Sequence, residues 1–68
     1  PYIMAQTRYI FETKENLDKA IQEAFGEGEK GYYDVEGLTL YYSTHGSNVI
    51  DSWRRNVFMS HGAKPEFF

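Results

Sequence analysis

Between Lys14 and Phe25 the apolar residues fall at Leu17, Ala20, Ile21, Ala24 and Phe25, the i, i+3, i+4, i+7, i+8 spacing that lines one side of an α-helix. Such a stripe must be buried against another element, and a chain of 68 residues offers only short elements to bury it. Thr13 is placed to cap this helix, Glu15 and Asp18 sit near the positive end of its dipole, and Gly26 supplies its stop. The spacing therefore predicts a helix over 14–25.

The flanking segments have the other period. Residues 2–11 are dense in Ile, Tyr, Thr and Phe and are expected to form a strand. Ile3, Ala5, Thr7, Tyr9 and Phe11 make its inward set, because the alternate set of Tyr2, Met4, Gln6, Arg8 and Ile10 carries Gln6 and Arg8 at its centre. Residues 31–42 read as a hairpin about Glu36-Gly37, since Gly tolerates the positive φ of a two-residue turn. In that register Val35 opposes Leu38, Tyr33 opposes Leu40 and Gly31 opposes Tyr42 on an apolar face. Asp34 then opposes Thr39, and Tyr32 opposes Tyr41, on a polar and aromatic face.

Ser47 can cap a second helix over 48–59, with Val49, Ile50, Trp53, Val57 and Phe58 as its apolar stripe and Asp51, Arg54, Arg55 and Asn56 on the wet side. Trp53 is expected to anchor the core, so that Trp53→Ala would cost roughly 3 to 5 kcal/mol. His61-Gly62 and Lys64-Pro65 end the helix. The tail over 60–68 either packs back on the domain or stays out as a short apolar hook ending in Phe67 and Phe68.

These elements give one small α+β domain: an open-faced two-layer sandwich in the order β-α-β-β-α, with a three-stranded sheet and both helices on one face. The other face is left uncovered and displays Tyr2, Met4, Gln6, Arg8, Ile10, Tyr32, Asp34, Thr39 and Tyr41. With 18% aromatic residues, among them 6 Tyr, 5 Phe and 1 Trp, the chain can build a core without disulfides. It has no cysteine, hence no thiolate zinc site and no thiol nucleophile, and this suits a reducing cytoplasm. No apolar run approaches the roughly 18 residues of a membrane span and no basic leader opens the chain, so a cytoplasmic protein without membrane contact is expected.

The formal net charge of −3, from 10 acidic and 7 basic residues, opposes phosphate backbones, and nucleic acid is not an expected partner. Gly26 to Gly31 spells G-x-G-x-x-G, but it follows a helix, precedes a strand and contains Glu27 and Glu29, the reverse of a dinucleotide loop. His45 and His61 stand in no metal-ligand spacing, so neither a metal nor a cofactor is expected. The Thr44-His45-Gly46-Ser47 stretch reads as a helix entry, whose exposed amides could also bind an anion. No nucleophile elbow is present, and a chain this short has little volume for a pocket of about 300 Å³ beside its core. No catalytic residue is assigned.

The sequence begins at Pro1, and a proline amine can act as a general base in a dry site. In that respect the chain resembles the tautomerase superfamily, short chains with an N-terminal proline on a first strand followed by a helix. The resemblance implies an oligomeric isomerase in which Arg8 binds a substrate carboxylate. The helix here is shorter than that family's, and the hairpin and second helix have no counterpart in it.

The expected function is instead that of a non-enzymatic protein-binding module, a small regulator, inhibitor or accessory subunit docking on a larger protein through its Tyr-rich sheet face, or on itself as a homodimer. The expected contacts are Tyr2, Met4, Arg8, Tyr32 and Tyr41, with Phe67 and Phe68 on the tail and Arg54 and Arg55 as a second site able to grip a carboxylate or phosphate. Stacking of single-stranded bases on the same face is the remaining alternative, weakened by the lack of a basic surround.

Overall fold

The computed structural model describes residues 7–26 and 32–67, the Phe67 side chain excepted. The elements are β1 (Thr7–Ile10), α1 (Lys14–Phe25), β2 (Tyr33–Glu36), β3 (Thr39–Tyr42), α2 (Asn48–Ser60) and β4 (Lys64–Phe67). Thr13 opens α1 by accepting the Asn16 amide on its hydroxyl at 3.1 Å, and Gly26 ends it at φ 61° and ψ −134°, a mirror-β conformation that glycine adopts readily and a residue with a Cβ does not. Both caps are the ones expected from the sequence. Ser47 caps α2 in the same way, through the Ile50 amide.

The fold is a two-layer α+β domain, with four strands where three are expected. Their order is β2-β3-β1-β4, every neighbouring pair antiparallel. With α1 joining β1 to β2 and α2 joining β3 to β4, this is the split β-α-β connectivity of ferredoxin-like folds, which by itself assigns no function. The fourth strand is the tail. Pro65 reads as a helix terminator in the sequence, yet it sits in an edge strand opposite Tyr9. Phe11 donates its amide to Leu38 at 2.9 Å, so Thr7, Tyr9 and Phe11 point their backbone groups at β3. Alternation leaves Arg8 and Ile10 to bond β4 and turns the missing N–H of Pro65 outward.

The hairpin register differs from expectation by two residues. Tyr33 pairs with Tyr42, Asp34 with Tyr41, Val35 with Leu40 and Glu36 with Thr39, so Gly37 and Leu38 make the turn, with Gly37 at φ 63°. Side chains alternate with a period of two, so a slip of two leaves the faces unchanged: Val35, Leu40 and Tyr42 still face inward. Leu38 loses its expected place, moving into the exposed turn, and Tyr32 is no longer opposite Tyr41.

Tyr9, Leu40 and Tyr42 from the sheet meet Leu17, Ala20, Ala24 and Phe25 of α1 and Val57 and Phe58 of α2. Phe58 is the hub, its ring centroid 4.7 Å from Tyr9, 5.6 Å from Tyr42 and 5.9 Å from Phe25. The expected face of α2 is corrected here. Trp53 is 47% exposed and Val49 78%, whereas Arg54 is 2% exposed and ranks with the most buried side chains. The helix is rolled so that Arg54, Val57 and Phe58 point inward and the Trp53 ring lies at the boundary with solvent.

Candidate functional site

Two groups of residues carry the polar chemistry of the domain. One is inside, around Arg54. Its guanidinium carbon lies 4.5 Å from the Phe25 ring centroid, 5.4 Å from Tyr32 and 5.9 Å from Tyr42, while Nε donates to the Ala24 carbonyl at 3.2 Å. That carbonyl belongs to the last turn of α1, whose acceptors lack partners within the helix and which has no basic residue of its own. Arg54 therefore supplies the cation at the negative end of the α1 dipole from another helix. A delocalised, weakly hydrated guanidinium is the cation best suited to such an aromatic setting.

Beside it, Asp51 gathers three donors. It accepts from the Tyr42 hydroxyl, from the His45 amide at 2.8 Å and from the Gly46 amide at 3.2 Å. Burial pushes its carboxyl upward, but the hydrogen bonds from Tyr42, His45 and Gly46 outweigh this and hold it below the ordinary value. Tyr42 moves the other way: burial, then its bond to Asp51, pushes the phenol up to about 12. The amides expected to be open to an anion thus already hold one, the side chain of Asp51. The His45 ring lies against Tyr32, tilted by 33° with centroids 4.9 Å apart.

Three expected site residues are thereby relocated. Tyr32 does not face Tyr41 across the hairpin; it precedes β2, and its ring packs toward the core beside Arg54 and His45. Arg54 is a buried structural cation rather than an exposed grip. Arg55 is exposed but reaches the hydroxyl of Tyr9, where its hydrogen bond opposes the larger effect of burial, which raises that phenol. The two arginines are consecutive on α2 and serve different parts of the core.

The second group is the sheet face away from the helices. Across the strands one row reads Asp34, Tyr41, Arg8, Glu66, and the next reads Glu36, Thr39, Ile10, Lys64. Arg8 and Tyr41, both expected site residues, come together here as a cross-strand pair of the closely spaced, non-hydrogen-bonded kind. Arg8 Nε is 3.2 Å from Glu66 Oε1, and the Tyr41 hydroxyl donates to Glu36 at 3.3 Å. Among the described residues the face is amphipathic and charged, and Tyr41 is its tyrosine, because Tyr32 lies elsewhere. Tyr2, Met4 and Phe68 lie outside the described residues, as do Pro1, Gly31 and the Phe67 side chain.

The sequence reading missed Glu36, Lys64 and Glu66 on this face. Glu36 was hidden in the assumed turn, and the other two in a tail not recognised as a strand. It also missed the protection of the sheet edges. Ser43 donates its amide to Tyr32 at 2.9 Å, which by alternation turns the Val35 N–H outward, where Asp34 Oδ1 accepts it at 2.9 Å. With Pro65 on the opposite edge, both borders are blunted against strand addition.

Among the described residues no cluster of His, Asp and Glu could hold a metal ion, and no helix is long and apolar enough to cross a membrane. No family model, no curated protein and no solved structure matches the chain.

Proposed function

We propose that the chain is a non-enzymatic protein-binding module, a small regulator, inhibitor or accessory subunit that docks on a larger protein through the outer face of its sheet. One observation carries the reading: neither helix covers this face, and at its centre Tyr41 lies beside Arg8, two residue types that dominate binding energy at protein interfaces. Blunted edges favour docking on the face over strand addition. Three polar groups among the described residues are engaged structurally. Asp51 receives three donors, Arg54 closes α1, and His61 Nε2 lies 2.8 Å from Glu23.

Stacking of single-stranded bases gains little from this arrangement, because among the described residues Asp34, Glu36 and Glu66 share the face with Arg8 and Lys64, and acid outnumbers base. The Pro1-dependent isomerase rests on a residue outside those described. A chain without cysteine fits the cytoplasm as the place of action.

The test is capture of partners from the source organism by the parent chain, by Tyr41→Lys and by Trp53→Lys, with folding of each checked by circular dichroism. Partners lost with Tyr41→Lys and kept with Trp53→Lys support the reading. The reverse pattern would move the binding surface to α2.

A further inference from the structure

The outer row formed by Glu36, Thr39, Ile10 and Lys64 runs across all four strands from one edge to the other. Its ends carry opposite charges about 14 Å apart, three strand spacings, and its middle is a threonine beside a partly buried isoleucine. Reversed end for end, the row is complementary to itself: acid meets base at both ends, and Thr39 meets Ile10 between them. The neighbouring row behaves similarly at its centre, where reversal sets Tyr41 against Arg8, a favourable cation and ring pair. At its ends Asp34 meets Glu66, whose charge is offset by its own ion pair with Arg8. Neither Glu36 nor Lys64 has an ion-pair partner among the described residues.

We propose that a second copy of the chain docks on this face, sheet against sheet about a two-fold axis parallel to the strands, with Glu36 and Lys64 exchanging ion pairs between copies. The inference rests on the reading of this face as the binding surface and names one occupant for it. Isologous packing places each residue against its mirror position in the row, and aligned sheets tolerate the twist of roughly 30° that such packing brings. The four-by-four patch has a flat footprint on the order of 300 Å², well below the roughly 800 Å² that each partner contributes to a standard interface. The dimer is accordingly weak, forms at high concentration and loosens with salt.

The experiment is sedimentation velocity over a micromolar to millimolar series on the parent, on Glu36→Lys, on Lys64→Glu and on the double variant that swaps both charges, with circular dichroism confirming the fold. The parent is expected to associate reversibly, each single reversal to weaken association roughly tenfold or more, and the swap to restore it. A parent that stays monomeric throughout overturns the proposal, as does a dimer indifferent to the reversals or one that the swap does not rescue. A monomer would leave docking on another protein intact, because the Tyr41→Lys capture comparison reads that separately.

Discussion

Arg54 of α2 donates its Nε–H to the carbonyl of Ala24, the penultimate residue of α1, across 3.2 Å. This one bond ties the two helices together while the guanidinium spreads over Phe25, Tyr32 and Tyr42, so Arg54 joins α1, α2 and the hairpin at a single point. Arg54→Ala should destabilise the domain by roughly 2 to 4 kcal/mol, through lost packing and an orphaned carbonyl. Arg54→Met, which keeps most of the volume and removes the cost of burying a charge, should lose less. Urea unfolding of the two variants checks the order; an Arg54→Ala protein within about 0.5 kcal/mol of the parent would contradict the structural role.

The roll of α2 makes opposite claims for two aromatic residues. Trp53 is 47% exposed and Phe58 is fully buried. Trp53→Ala should therefore cost less than about 1.5 kcal/mol, whereas Phe58→Ala should cost roughly 3 to 5, close to the whole stability of a domain this small. Thermal unfolding followed by circular dichroism distinguishes them, and a Trp53→Ala chain that fails to fold would restore Trp53 to the core.

Hydropathy explains why this roll was not legible in the sequence. Trp53 and Val49 are apolar and share a spacing with Ile50 and Val57, so the stripe drawn through them looked complete. Arg54 could be recognised as inward only by knowing that three aromatic rings and a helix end wait for it, and Phe25, Tyr32 and Tyr42 come from other parts of the chain. Local signals fared better: Thr13 and Gly26 bound α1 at the expected residues, because a cap depends on its immediate neighbours. The hairpin lies between these cases. Alternation set Val35, Leu40 and Tyr42 on one face and Asp34 and Tyr41 on the other but misplaced Tyr32, and Glu36-Gly37 and Gly37-Leu38 both place a glycine in the turn, so the local sequence does not choose between them. For the candidate surface, Arg8 and Tyr41 were legible from alternation, while Lys64 and Glu66 were not, since a strand containing Pro65 is recognisable only once β1 offers it an edge.

Stability should fall at both ends of the pH scale for different reasons. Asp51 binds its proton less tightly in the folded chain than its ordinary value of 3.8, so its contribution is complete above that value and is lost as the pH drops through the lower, folded one. Tyr42 binds its proton more tightly, at about 12 against 10.0; its contribution is complete below 10.0 and is lost as the pH climbs toward the folded value. Unfolding midpoints measured against pH should show Asp51→Asn flattening the acid limb and Tyr42→Phe flattening the alkaline one. Limbs of unchanged slope would mean that the pair does not couple to folding.

Gly37 opens the hairpin turn at φ 63°, with no atom within 4 Å of where a Cβ would stand. Gly37→Ala therefore meets backbone strain and no clash, and should lower stability by about 1 kcal/mol with the fold retained. A stabilising effect in thermal unfolding would show that the turn does not hold this conformation.

The central claim is that the outer face of the sheet, and not the exposed side of α2, meets the protein's partner. The most direct measurement places a photo-crosslinking amino acid at position 39, on the outer face of β3, and separately at position 53 on α2, and irradiates each chain in its native cell extract. The account predicts crosslinks to another polypeptide from position 39 and none from position 53; crosslinks from position 53 alone would contradict it.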